Sequence, residues 1–181
     1  MEKYPVKSNL EFIKCTPEIL NKVFTMYEHC VKKLEETINY PKWTKSHPSR
    51  EYVEKAVENN ELFACVKNET ILGALVLSEN PEGNYSLGNW TSNLKKGEYL
   101  AIHILAVDPE YFRSGIGVFL VKNAIAFAKK NGYKALRLDV VPGNIPAKKL
   151  YETNGFTYAG KKDLQRNIAE IPFFELYELN F

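Results

Sequence analysis

Apolar residues recur along this chain with two periods, one helical and one strand-like. Between residues 17 and 36, Leu20, Val23, Phe24, Tyr27, Val31 and Leu34 stand at helical spacing, with Thr16 as N-cap and Pro17 in the first turn. Ser49 caps a shorter helix running through Val57. Residues 10–15, 62–67 and 71–78 read as strands, the last two joined by the polar turn Asn68-Glu69-Thr70. The second half is more regular. Residues 99–107 form a strand, and 114–131 a helix with Ile116, Leu120, Ala124 and Phe127 on one line. Lys129-Lys130 complement its C-terminal dipole and Gly132 stops it. A strand at 134–141 follows, so the two strands around this helix are expected to be parallel neighbours through a right-handed crossover. Asn144 then caps a helix to about Asn154 with Pro146 in its first turn, and strands at 156–159 and 171–181 close the chain. The order β-α-α-β-β-β-α-β-α-β-β predicts a mixed sheet covered by helices on both faces. Two segments break the pattern. Residues 38–48 are irregular and carry Tyr40 and Trp43. Residues 79–96 form the longest loop, with Tyr85 and Trp90, and a loop of that length in a compact domain is functional or mobile.

Composition narrows the classes. At 45% hydrophobic and 25% charged, the 181 residues suit one soluble domain over 1–181 that buries about two-thirds of its unfolded surface. A formal net charge of +2 gives no case for a nucleic-acid surface. Lys32-Lys33 and Lys129-Lys130 read as solvated helix faces. Cys15, Cys30 and Cys65 lack metal-ligand spacing and sit in apolar or helical contexts, which suits idle thiols in a reducing compartment; no metal is expected. Residues 1–9 carry no apolar core, so no secretory leader is expected there. No uncharged apolar run approaches the roughly 18 residues of a membrane span, and the cytoplasm is the expected location.

The most informative stretch is Asp108-Pro-Glu-Tyr-Phe-Arg-Ser-Gly-Ile-Gly-Val-Phe-Leu120, between a strand and a helix. Glycines at a helix N-terminus let an anion approach bare amides, and the helix adds roughly half a positive charge. Arg113, Ser114, Gly115, Ile116, Gly117 and Val118 are therefore the candidate phosphate cradle. Alone, Gly115-Ile-Gly117 also reads as a pair easing helix–sheet packing. Arg113 adds a charge-assisted bond or is a surface arginine. A doubly wound nucleotide enzyme would show its glycines after the first strand, whereas here they follow several strands.

This chain resembles the GNAT superfamily of N-acetyltransferases. The resemblance is strongest between residues 99 and 160, in Leu105-Ala-Val-Asp-Pro109, Arg113-Ser-Gly-Ile-Gly117 and Asn144-Ile-Pro-Ala-Lys-Lys-Leu-Tyr151-Glu-Thr-Asn-Gly-Phe156, and looser at Tyr40, Trp43, Leu62-Phe63 and Gly73. It implies a three-layer αβα fold, mixed α+β, with a largely antiparallel sheet and a splayed parallel strand pair. It implies acetyl-CoA as acetyl donor, its pyrophosphate on the turn amides and its pantetheine arm along Leu105, Ala106 and Val107. Asn144 would contact the cofactor and Tyr151 would lie near the thioester sulfur. One departure stands out: the turn begins with Phe112 where the family usually has Arg or Gln.

Asn144 and Tyr151 lie seven residues apart, two helical turns, so both face one way. The Tyr151 phenol would then donate to a leaving thiolate, or else be an amphipathic core residue. His103, between Ile102 and Ile104, is a candidate base for the attacking amine, as some family members have at the matching strand position, or a packed histidine. Asp139 binds a cationic amine, caps the loop after its strand, or pairs with Arg137. Tyr40, Trp43, Tyr85 and Trp90 lie in irregular segments that family members use to wall the acceptor pocket, and are candidate walls by that resemblance or else packing under long loops. The closing strand completes the sheet in the family and leaves room for a homodimer. The expected function is acetyl transfer from acetyl-CoA to a primary amine of a small molecule or peptide by direct attack in a ternary complex. The alternative is a non-catalytic acyl-CoA-binding module of the same fold.

Overall fold

A computed structural model describes residues 9–181; residues 1–8, which hold nearly all of the segment expected not to be a leader, lie outside the described residues. The elements follow the expected order: β1 (Glu11–Lys14), α1 (Leu20–Glu35), α2 (Arg50–Glu58), β2 (Leu62–Lys67), β3 (Thr70–Ser78), β4 (Tyr99–Val107), α3 (Ile116–Lys130), β5 (Ala135–Val140), α4 (Ile145–Thr153), β6 (Thr157–Lys162) and β7 (Phe174–Asn180). Seven strands form a mixed sheet in the order β1-β2-β3-β4-β5-β7-β6. β1–β2, β2–β3, β5–β7 and β6–β7 are antiparallel. β4–β5 is the parallel pair that the α3 crossover demands. The closing strand β7 inserts between β5 and β6 and leaves β6 at the edge.

Local chemistry explains where the four helices start. Ser49 caps α2 by accepting from the Tyr52 N–H at 3.1 Å, and Asn144 caps α4 by accepting from the Ala147 N–H at 3.2 Å. Thr16 does not cap α1 as expected. Residues Pro17–Ile19 form a 3₁₀ turn, the Thr16 side chain bonds the Glu18 side chain instead of a backbone amide, and the α-helix starts at Leu20. α3 starts at Ile116 rather than at residue 114, because Arg113 and Gly115 adopt left-handed φ values of 62° and 90° that a helix excludes.

The described residues divide into two compact units. The first takes those of Met1–Asn39, Trp43–Val76 and Ile104–Asn123. In it, Val23, Met26, Tyr27 and Cys30 of α1 and Val53, Ala56 and Val57 of α2 pack on Leu62, Ala64, Ala74 and Val76 of β2 and β3. Gly73 points the other way, toward α3. A Cβ there would lie 2.7 Å from the Ala106 carbonyl oxygen and 3.1 and 3.2 Å from Leu120 and Ile116. The second unit takes Tyr40–Lys42, Leu77–His103 and Ala124–Phe181. Here Tyr85, Leu164 and Phe174 cover Tyr99 and Ala101 of β4, Ala135 of β5 and Leu176 of β7, with Trp90 and Ile171 against them. Among the described residues, no helix is long and apolar enough to cross a membrane.

Gly73→Ala is expected to lower stability by about 1–3 kcal/mol, since the added methyl meets backbone rather than a flexible side chain. A urea unfolding midpoint equal to that of the native chain would contradict this packing.

Candidate active site

In the first unit, β4 ends where the Asp108 N–H donates to the Leu72 carbonyl at 2.9 Å. The Asp108 carboxylate accepts from the Glu110 N–H at 3.0 Å, closing the 3₁₀ turn Pro109–Tyr111, and its other oxygen lies 3.2 Å from His29 Nδ1. Phe112 is 48% exposed and leads into the left-handed Arg113, whose side chain is also exposed. The Ser114 hydroxyl donates to the Tyr111 carbonyl, which fastens the turn. The α-helical bond from the Phe119 N–H to the Gly115 carbonyl is 2.9 Å, so the amides of Gly115 to Val118 fall in the first turn, where a helix supplies no partner of its own. A Cβ on Gly115 would meet nothing within 4 Å, so main chain is open to a ligand there. The turn therefore has the donors and the access that a diphosphate requires.

Just upstream, Ile104 holds φ at 41°, a rare value for a β-branched residue and a mark of a strand bent away from regular pairing. α1 satisfies the bent strand: the Tyr27 hydroxyl donates to the Ile104 carbonyl at 3.0 Å, and the Cys30 thiol to the Val107 carbonyl at 3.2 Å. Leu105, Ala106 and Val107 follow the bend, with Leu105 and Val107 only partly buried.

In the second unit, the β4–β5 ladder runs from Tyr99↔Ala135 to Ile102↔Leu138 and ends. The next residue on each strand is His103 and Asp139. Their side chains are both 8% exposed and face each other, His103 Nδ1 lying 3.9 Å from an Asp139 oxygen. The Tyr85 hydroxyl donates to Asp139 at 2.6 Å, and its ring meets His103 edge-on at 6.1 Å. Arg166 grips the same carboxylate with both terminal nitrogens, at 3.0 and 2.6 Å. Burial alone would raise the Asp139 carboxyl, but the Arg166 charge, His103 and the hydrogen bonds outweigh it and hold it below the ordinary range. Burial, and then the Asp139 charge, push the Tyr151 phenol well above its ordinary value, so it stays protonated. Tyr151 is buried and meets Phe156 edge-on at 5.5 Å. His103, Asp139 and Tyr151 thus belong to one electrostatically linked group.

Of the three roles open to Asp139, pairing with Arg137 is not the one formed: Asp139 pairs with Arg166. The β5–β7 register sets Arg137 opposite Glu178 and Asp139 opposite Leu176. Arg137 pairs with Glu178 at 3.8 Å, lies between the rings of Trp90 and Tyr99 at 4.4 and 4.3 Å, and donates to the Ser92 carbonyl at 2.7 Å. Glu178 accepts from the Thr91 N–H and hydroxyl at 2.6 and 2.7 Å, so this pair fastens the loop that carries Trp90. Arg166 is the partner that sequence reasoning missed. Trp90 stacks on Tyr85 and donates its indole N–H to the Tyr85 carbonyl. Trp43 packs against the first unit's core, tilted 6.1 Å from Tyr27, and Tyr40 is partly buried. Asn144 commits its side-chain oxygen to capping α4. Among the described residues, no group of three or more His, Cys, Asp or Glu is placed to hold a metal ion. Burial pushes the thiols of Cys15, Cys30 and Cys65 up to about 12, so none is an activated nucleophile.

Comparison with known proteins shows the family and the fold. The chain is 41% identical over 68 residues to an uncharacterized N-acetyltransferase of Methanocaldococcus jannaschii, a match spanning 38% of this chain and 30% of that relative's length. Its fold is similar to that of an acetyltransferase of the GNAT family from Streptococcus agalactiae 2603, with a TM-score of 0.75, 12% identity and 95% of each chain covered. It is similar also to a putative acetyltransferase of Staphylococcus aureus Mu50, with a TM-score of 0.67 and 21% identity over 93% of this chain and 97% of that one. The model of the acetyltransferase (GNAT) family matches residues 24–156, most of the chain and both the bent strand and the glycine turn, and the chain belongs to that family.

Proposed function

We propose that this chain is an N-acetyltransferase that moves acetyl from acetyl-CoA to a primary amine of a small molecule or peptide, by direct attack in a ternary complex. The observation that carries this reading is the group at the end of the β4–β5 ladder: His103 beside Asp139, with a phenol held protonated at Tyr151. The Gly115–Val118 amides suit the pyrophosphate, the main chain of Leu105, Ala106 and Val107 suits the amides of the pantetheine arm, and the Asn144 amide nitrogen is a further donor. Bound acetyl-CoA supplies an acetyl group activated on a thiol. The residues of the chain supply the proton handling. An amine arrives protonated and cannot attack until a base removes that proton. His103, with an ordinary midpoint of about 6.5, is suited to take it near neutral pH. Tyr151 serves the other end. A phenol raised above its ordinary value is a weaker acid than a thiol of about 8.5, so outright proton transfer to the departing sulfur runs uphill. Its contribution is a hydrogen bond that strengthens as charge develops on sulfur. Tyr40, Trp43 and Trp90 are each proposed as an aromatic contact for the acceptor, and the chain is proposed to act as one catalytic domain in the cytoplasm.

Tyr151→Phe is expected to lower kcat by roughly 10²–10³-fold with little change in the KM for acetyl-CoA, read as steady-state thiol release. An unchanged kcat removes Tyr151 from the mechanism. Because burial and Asp139 raise this phenol, native kcat should show no alkaline loss from Tyr151 below about pH 10. On the acid side, kcat/KM should fall as the base becomes protonated, and His103→Ala should abolish that limb. Persistence of the limb in the variant rules His103 out as base. Calorimetric binding of acetyl-CoA without turnover across an amine panel would instead favour the non-catalytic module.

A further inference from the structure

We propose that Arg166 is a positioning residue for the base: its guanidinium fixes the Asp139 carboxylate and offsets its charge, so that His103 faces a balanced ion pair rather than a lone carboxylate. The functional meaning rests on the acetyl-transfer reading above, but the contact can be tested without an acceptor.

The loop between β6 and β7 is built to deliver this side chain. Gln165 and Asn167, on either side of Arg166, both hold left-handed φ values, 58° and 55°. Leu164 is fully buried, and its carbonyl accepts from the Asn84 N–H at 2.8 Å. Gly83, with φ of 78°, permits the approach, since a Cβ there would lie 2.6 Å from the Leu164 carbonyl oxygen and 2.9 Å from Arg166 Cγ. The guanidinium rests on the Phe174 ring at 4.5 Å. Its Nε and Nη2 donate to the Glu82 carbonyl at 3.0 and 2.8 Å, while Nη1 and Nη2 reach Asp139. Only 11% of the side chain is exposed, so this is a buried fork-on-carboxylate pair and not a surface contact.

Two consequences follow from elementary electrostatics. A lone carboxylate 3.9 Å from an imidazole favours the imidazolium, which cannot accept a proton. Arg166 removes most of that bias and leaves the neutral, basic ring available. The other groups around the pair do not substitute for it. Tyr85, Tyr99 and Tyr151 are phenols, and Arg137 is committed to Glu178. Second, both Asp139 oxygens already accept from Arg166, and one also from Tyr85. Asp139 is therefore assigned to acting on His103 through its charge and not to binding the acceptor's ammonium. A second positive charge on the acceptor gains nothing from it.

The test is an NMR pH titration of the histidine ring signals in the full chain without ligand. The three histidines are few enough to assign, with His103→Gln identifying the signal of interest. Arg166→Met should raise the His103 midpoint by about one unit, and Arg166→Lys should keep most of the native value. Combining Arg166→Met with Asp139→Asn should cancel the rise, because the pair is then removed together. If Arg166→Met does not fold, Arg166→Gln reads the same loss of charge. A His103 midpoint unmoved in the neutral variants, or equally raised in the double variant, overturns the proposal. The titration needs neither acetyl-CoA nor an amine. The expected shift in a chain that releases no thiol with any amine retains the Arg166 assignment and rejects acetyl transfer; turnover without the shift does the reverse.

Discussion

A buried carboxylate sets the terms for half of this molecule. Asp139 sits at the end of β5 with its side chain 8% exposed, and a charge taken out of water must be paired and hydrogen-bonded to be tolerated. Its partners come from segments far apart in sequence: Tyr85 from the long loop after β3, Arg166 from the loop before β7, and His103 from β4. Both loops lack extended secondary structure of their own and converge on one side chain. A second buried pair, Arg137–Glu178, repeats the arrangement two residues earlier on β5 and ties in Thr91 and Ser92. The loop with Trp90 is therefore held by charge and stacking rather than by strand pairing.

β4 performs two tasks because it stops being regular halfway. Up to Ile102 it is an ordinary parallel partner of β5. Past His103, the left-handed Ile104 bends the chain, and the Ile104 and Val107 carbonyls accept from Tyr27 and Cys30 of α1. Strain at one residue is tolerated where the surroundings over-determine it, and such positions concentrate at functional sites. The bend begins one residue after the proposed base. The ladder's last pair and the His103–Asp139 contact are thus consecutive steps of one register.

Much of this was legible in the sequence. The order of the eleven elements among the described residues followed from apolar periodicity together with the caps Ser49 and Asn144, and the crossover rule required the parallel β4–β5 pair. The glycine turn was legible as a turn because its two glycines stand between an apolar strand and an amphipathic helix. Less was legible where residues are polar and aperiodic. The stretch 163–170 reads as a loop, and nothing in it marks Arg166 as buried. Thr16 has the right residue type for a cap, yet a 3₁₀ turn and Glu18 take its place.

Arg137 and Asp139 illustrate the division. Two residues apart on a strand, they share a face, and the sequence makes an ion pair between them reasonable. The register of β7 separates them by setting Glu178 opposite one and Leu176 opposite the other. The sequence by itself determined the elements, the parallel pair and the glycine turn between β4 and α3, because periodicity, capping and glycine chemistry act over a few residues. Only the tertiary structure decided which charge meets which. Partners in a buried ion pair are chosen by register and loop closure between segments tens of residues apart, and no local pattern encodes that choice.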